Sequence, residues 1–529
     1  MSFAPDRPNV LLILVDEMRA DALGCFGGAS VGGQSITPNL DRLAAEGTRF
    51  SSCFVPQPTC TPCRAALLTG CYASALRSRM VGCHTPDDAR FLPRVLGRAG
   101  YRTASVGKIH LVPQRGEAAA IEATRRDDAT VDYFGFETIE LVNGHGPDCF
   151  GPSYTPWLRG RVADLDERRA VREPMCGIPS CYRWPLPPEV HSTRYIADHA
   201  VESLRHLADD RAPFLLHCSF PDPHHPFCVP EPYASRFDPD DMPDPLPPIT
   251  EAIDPPPVGV AAYEGRDTRL HRPDGCATSH VIGTPHHDYR RFSDRDWRVV
   301  RAVTAGMVAM LDDAIGRVLD TLDELGLADR TVVAFASDHG DYLGDHGMFG
   351  KGLHYDSVLR TPLLLRGPGV PRGRVADGIA SLVDLAPTLY DLLGVDEPEA
   401  LQGFSLKPGL DDSDAWPRDA ALTENDDDIA GLRMRTLTTR YWKLTRYAGD
   451  DFGELYDRRA DPGERRNRYA DPACRATRDT LNAALADHLL CASDGANGRV
   501  QPPKPRVVKH RPAPVCLTPS SDALPGAQL

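Results

Sequence analysis

The sequence predicts an α/β fold, and three observations carry that expectation. Asn9–Val15 and Thr331–Ser337 are continuous apolar runs that end at once in acidic residues, the pattern of strands buried on both faces. Between them Trp297–Leu325 places Val299, Val303, Met307, Leu311, Ile315, Val318, Leu322 and Leu325 on one helical stripe, a core-packing face. Several further helices carry their own start and stop signals, so helices and strands alternate along the chain.

Taken in order, Asn9–Val15 delivers Asp16-Glu17 to a strand's carboxyl end, where sheets of this kind hold ligands. Thr37-Pro38 opens a helix that runs through Leu40 and Leu43 to Gly47. Cys60-Thr-Pro-Cys-Arg64-Ala-Ala-Leu-Leu-Thr69-Gly70 is a short helix with Pro62 in its first turn and Gly70 as its stop. Cys60 therefore lies at a helix N-terminus, where free N–H groups favour an anion, and Arg64 one turn on can face the same place. Cys60 and Cys63 also read as a C-x-x-C redox pair, and with Cys53 and Cys71 as a zinc site. The zinc spacing is poor, because Cys53 and Cys71 do not form a second close pair.

Phe91–Ala99 reads as a helix and Tyr101–Val106 as a strand leading into Gly107-Lys108-Ile109-His110. In extended chain Lys108 and His110 share one face. Residues 127–189 are rich in Gly, Pro, Trp and Tyr and read as an elaborated loop region. A helix over 192–208 and a strand over 214–219 lead into Pro221-Asp-Pro-His224-His225-Pro226. Residues 230–293 read as a second irregular insertion. After Thr331–Ser337 come Asp338-His339-Gly340-Asp341, Gly344-Asp345-His346-Gly347 and Lys351, and Asp and His clustered past a strand suit a metal. A strand over 360–365, a capped helix from Asp384 to Gly394, a strand over 436–446 and a helix over 471–490 complete the reading. The chain divides at about residue 405 into a large α/β domain and a small domain over 406–492; residues 493–529 read as a disordered tail.

A formal charge of -15 argues against nucleic acid and anionic membranes as partners. The apolar run after Asn9 is too short to span a bilayer, and no signal peptide is visible. Fifteen scattered cysteines, an odd number, fit reduced thiols in a cytoplasmic protein. Oligomeric state is open, a homo-oligomer included.

C-x-P-x-R at Cys60–Arg64 followed by L-x-T-G, with G-K-x-H at Gly107–His110 and P-H-x-P around His224, resembles the type I sulfatases, in order, from about Pro8 to Leu490. Position 63 departs from the commonest form, which has Ser there. The resemblance implies an alkaline-phosphatase-like fold: a large mixed sheet between helices, then a small antiparallel sheet with one helix. It implies that a formylglycine-generating enzyme oxidises Cys60 to formylglycine, whose hydrate attacks the sulfur of a sulfate ester. A divalent cation would be held by Asp16, Glu17, Asp338, His339 and residue 60. Glu17 and His339 stand where many members have Asp and Asn; calcium is the first expectation, with manganese or zinc tolerated by the imidazole. Arg64, Lys108 and Lys351 would face the sulfuryl oxygens, His110 would act as base, and His224 with Lys351 would protonate the leaving alcohol. Three alternatives remain: a phosphonate monoester or phosphodiester hydrolase on the same fold, a non-catalytic anion-binding protein, and the redox protein.

Overall fold

In the computed structural model, which describes residues 7–28, 30–31, 34–126, 132–266, 288–427 and 432–492, a nine-stranded sheet organises the chain. Its strands are β1 (Asn9–Val15), β2 (Thr48–Phe54), β3 (Arg102–Gly107), β4 (Thr138–Leu141), β5 (Phe214–Phe220), β6 (Thr331–Ser337), β7 (Arg360–Thr361), β8 (Leu363–Arg366) and β9 (Arg374–Ser381). They lie in the order β7-β2-β8-β6-β1-β5-β3-β4, with β9 paired to β2. β6, β1, β5, β3 and β4 run parallel, whereas β8 is antiparallel to β6, so the sheet is mixed.

Both faces of the sheet are covered, which is why its central strands are continuously apolar. Val10, Leu12 and Leu14 point into one core, and Leu11, Ile13 and Val15 point into the other. The long helix, Asp294–Glu324, opens with a capping box at Ser293 and Asp296 and packs on the second core with Ser192–Ala208.

Register brings the chemistry to one edge. Val15 pairs with Ser337 on one side and Phe220 on the other, and Gly107 pairs with Ser219. Asp16, Asp338, Lys108 and the Pro221–His225 turn therefore leave the sheet at the same level. Gly107 is required there: a Cβ would lie 1.8 Å from the Ser219 carbonyl oxygen, and its φ is +103°.

The small unit is a four-stranded antiparallel sheet of Ala420–Asp427, Leu432–Thr439, Trp442–Tyr447 and Gly453–Asp457, covered by the Arg475–Ala492 helix. Leu422, Leu437, Leu444 and Leu455 meet Leu481 and Leu485 in its core. Its first strand braces the approach to Cys60: Thr423 Oγ1 donates to Val55 O at 2.6 Å, and Glu424 N donates to Pro56 O at 2.8 Å. A large mixed sheet between helices plus a small antiparallel sheet is the arrangement the resemblance implies.

Several local expectations change. The expected strand over 360–365 is broken at Pro362, which has no N–H for the ladder, and gives β7 and β8. The strand expected over 436–446 is two strands that turn at Arg440-Tyr441. The loop region over 127–189 contains β4 and two short helices, Tyr154–Arg159 and Leu165–Ala170. The tail over 493–529 lies outside the described residues. Among the described residues no helix is long and apolar enough to cross a membrane.

Candidate active site

Cys60 opens a fully buried ten-residue helix, Cys60–Thr69, whose N-cap Thr59 is extended and whose stop, Gly70, is left-handed at φ 70°. Cys60 Sγ lies 3.6 Å from Asp16 Oδ1 and 3.3 Å from His339 Nε2. Cys63, one turn on, faces elsewhere: its thiol donates to the Asp338 carbonyl oxygen at 2.8 Å. Burial first, then the Asp338 charge, pushes the Cys63 thiol well above its usual range, so it stays protonated. Both thiols are free.

Asp16, Cys60, Asp338 and His339, all buried, place one ligand atom each within 4.8 Å of one another. Two carboxylates, an imidazole nitrogen and a small side chain at position 60 form a donor set suited to a divalent cation. Glu17 has different partners from those expected of a ligand in this group. Its backbone takes the left-handed conformation, φ 66°, and its N–H donates to Asp338 Oδ1 at 3.1 Å. Its carboxylate turns to His224 and His225 instead, with Oε2 2.8 Å from His224 Nε2 and 3.1 Å from Lys351 Nζ. Despite burial, which opposes ionisation, the charges of His224, Lys351 and His225 hold Glu17 well below the usual carboxylate range.

Three cations oppose these acids. Arg64 is fully buried; Nε donates to Asp338 Oδ2 at 2.8 Å, and Nη1 donates to Lys108 O at 3.0 Å and Ser219 Oγ at 2.9 Å. Only Nη2, 3.4 Å from Asp16 Oδ2, lacks a hydrogen bond. Lys108 Nζ is paired with Asp16 Oδ2. Lys351 Nζ also meets His224 Nε2 at 2.8 Å. Burial opposes the Lys351 charge, but Cys60, Glu17, Asp16 and Asp338 together raise its pKa, so the ammonium is retained.

The remaining members of the Asp338–Gly347 stretch are structural. Asp341 accepts the backbone N–H groups of Leu343 and Gly350 at 2.6 and 2.9 Å. Asp345 pairs with Arg19 and Arg301, each at 2.7 Å, and His346 stacks on Tyr355.

His110 is held in a left-handed conformation at φ 59° by Glu117, a buried carboxylate. Glu117 accepts from His110 N at 2.9 Å, Leu111 N at 3.2 Å, Asn143 Nδ2 at 2.9 Å and Tyr133 OH at 3.0 Å. Burial, then the Lys108 and Arg64 charges, keeps the His110 ring well below the usual histidine pKa, hence neutral. Two residues here escaped the sequence reading. Glu117 sits in a helix that was not expected, Gln114–Arg126. His145 stacks on His224 with ring centroids 3.6 Å apart and planes at 15°, and its Nε2 is 3.4 Å from Lys108 Nζ. A single histidine between two glycines carries no spacing signal.

A family model described as Sulfatase matches residues 8–395, and one described as N-sulphoglucosamine sulphohydrolase, C-terminal, matches residues 344–489. An arylsulfatase of Clostridium perfringens is 28% identical over 499 residues, 92% of this chain and 96% of its own. The multifunctional alkaline phosphatase superfamily protein PehA of Trinickia caryophylli is 29% identical over 527 residues, covering 91% of this chain and 95% of its own. Among solved structures, the phosphonate monoester hydrolase of Agrobacterium radiobacter matches with a TM-score of 0.72 at 29% identity, covering 92% and 96% of the two chains.

Proposed function

The chain belongs to the sulfatase family and is a sulfuric ester hydrolase, and we propose that it converts a sulfate monoester to an alcohol and inorganic sulfate with residue 60 as the nucleophile. The observation that carries this reading is the placement of Cys60. It starts a buried helix, faces His339 and the Asp16 carboxylate that pairs with Lys108, and lies in the field of Lys351.

Oxidation of Cys60 to formylglycine by a formylglycine-generating enzyme would supply, once hydrated, one hydroxyl to attack sulfur and a second to expel sulfate. A divalent cation, calcium first and manganese or zinc next, would acidify that hydroxyl and screen the substrate charge. Asp16, Asp338, His339 and residue 60 would hold it, and Glu17, whose Oε2 serves His224 and Lys351 while its Oε1 has no hydrogen-bond partner, would join them through Oε1.

The chain's own residues do the rest. Lys108 and Arg64 Nη2 face the sulfuryl oxygens, and one such donor is worth about 3 kcal/mol in the transition state. His224 together with Lys351, whose ammonium meets its Nε2 at 2.8 Å, delivers the proton that the leaving alkoxide needs. His110, neutral and so able to accept, takes the proton whose removal releases sulfate.

The test is peptide mass spectrometry with a Cys60→Ala variant. An aldehyde at position 60, none at Cys63 and loss of turnover in the variant are expected; an active enzyme with an intact Cys60 thiol would refute the reading. The likeness to the Agrobacterium radiobacter structure favours a second reading, phosphonate monoester or phosphodiester hydrolysis. Comparing kcat/KM for an aryl sulfate and the matching phenylphosphonate monoester and phosphodiester separates the two. Preference for either phosphorus ester by more than tenfold, about 1.4 kcal/mol in barrier, would overturn the sulfate assignment.

A further inference from the structure

His145 is unused by the chemistry above, yet it stands inside the site. Its ring fills the space between Lys108 and His224, stacked on the latter at 3.6 Å. The segment that carries it is fastened at both ends. Asn143 N and O each exchange a 2.7 Å hydrogen bond with Phe150, and Asn143 Nδ2 binds Glu117, the same carboxylate that holds His110. On the far side Gly146 takes φ +54°, and a Cβ there would lie 2.8 Å from the Pro226 ring, beside His224 and His225.

The hydrogen-bond inventory fixes the tautomer. A lysine ammonium has three donors and no acceptor, so the His145 Nε2 that meets Lys108 Nζ at 3.4 Å is the acceptor. A ring that accepts at Nε2 is neutral and carries its hydrogen on Nδ1. Burial, with the charges of His224 and Lys108, agrees by holding the ring well below the usual histidine pKa. Nδ1 is buried and has no hydrogen-bond partner. A buried N–H donor without an acceptor is destabilising, and an incoming acceptor would recover that loss.

We infer that His145 is a substrate-contacting residue whose Nδ1–H donates to a non-bridging oxygen of the sulfuryl group, beside the oxygen held by Lys108. The inference rests on the sulfate-ester reading. A sulfuryl group has three non-bridging oxygens and more acceptor capacity than Lys108 and Arg64 Nη2 alone can meet. A neutral donor adds a hydrogen bond there without a further full positive charge, which suits a monoanionic ester. The competing role is a spacer that only holds the His224 ring flat.

Three variants of the mature, metal-loaded enzyme separate these roles. His145→Phe keeps a stacked ring and removes the donor. His145→Asn loses the stack but places an amide N–H near the Nδ1 position. His145→Gln, whose amide reaches the Nε2 position instead, replaces the Phe variant should that one fail to fold. Each is measured for aryl sulfate kcat/KM and for affinity toward inorganic sulfate by titration calorimetry, with metal content as control. Expected are a fall of about 100-fold in kcat/KM for His145→Phe, weaker sulfate binding by at least about tenfold, unchanged metal, and substantial recovery of both in His145→Asn. Sulfate affinity in His145→Phe within threefold of wild type overturns the inference, as does an Asn variant no better than the Phe variant. Sulfate binding requires no turnover, so a wild-type enzyme inactive on aryl sulfates would defeat the functional reading without deciding the fate of His145.

Discussion

Replacing Glu117 by alanine should damage the site from a distance. Its carboxylate holds two backbone N–H groups, an asparagine amide and a tyrosine hydroxyl, and three of those four donors belong to buried groups. Truncation leaves His110 N–H and Leu111 N–H without an acceptor, at about 1–3 kcal/mol each before any water enters, and leaves the Asn143 amide only the Gln114 carbonyl oxygen. Water in the vacated space would offset part of that, and so would relief from burying a carboxyl group whose pKa burial raises. A net loss of about 2–4 kcal/mol follows, a value typical of a broken buried network. Glu117→Gln keeps the shape but turns an amide N–H toward donors, so it should cost about half as much. The assay is urea unfolding of both variants, paired with aryl sulfate kcat/KM. Because His110 and the His145 segment hang on the same carboxylate, activity should fall about tenfold or more in the folded Ala variant. An Ala variant within 0.5 kcal/mol of wild type, with unchanged kcat/KM, would refute the account of Glu117 as the anchor.

Cys63→Ser should keep activity within about threefold, because a hydroxyl can replace the thiol that donates to Asp338 O; a loss as complete as that of Cys60→Ala would contradict the division of roles. Arg64→Lys cannot reproduce the fork that binds Asp338, Ser219 and Lys108 O together, and should cost about 1–3 kcal/mol in urea unfolding through the buried hydrogen bonds it leaves unmade. Asp312, pushed up to about 6 chiefly by burial, contributes most to stability below about pH 4, and that contribution is lost as pH rises through about 6. The stability of wild type relative to Asp312→Asn should therefore fall by about 2–3 kcal/mol between pH 4 and pH 7, and a constant difference between the two unfolding curves would exclude this. Dialysis against a chelator should abolish turnover yet leave circular dichroism nearly unchanged, since the acids of the site keep protein cations as partners; unfolding on chelation would show that the ion is structural.

What the sequence made legible were features with a period or a punctuation mark. Asn9–Val15, the long helix and the Cys60–Gly70 helix were readable because apolar runs, stripes, Pro62 and Gly70 act locally. β2 escaped because Thr-Arg-Phe-Ser-Ser-Cys-Phe is neither continuously apolar nor strictly alternating, and its burial comes from β8 and β9, more than 300 residues away along the chain. β4 is four residues at a sheet edge within a Gly- and Pro-rich stretch. Of the site, the residues in motifs came together where strand ends predict. His145 and Glu117 did not announce themselves, because a lone histidine in a loop and a glutamate in a helix are each ordinary surface residues until the fold buries them. Glu17 shows a subtler gap: its position beside Asp16 was clear, but a left-handed backbone aims its carboxylate at His224.

The heart of the site holds Asp16, Glu17 and Asp338 against Arg64, Lys108 and Lys351, each acid with a basic partner. That balance makes substitutions epistatic. Removing Lys108 alone leaves the buried Asp16 charge with only the longer 3.4 Å contact to Arg64 Nη2, whereas removing both leaves neutral groups of similar shape, so the double variant should be the more stable. Stability would then return along a path where catalysis does not. Descendants that lost the chemistry would be expected to lose these residues in opposite-charge pairs, and designers who wish to change the reaction must likewise move in steps of two.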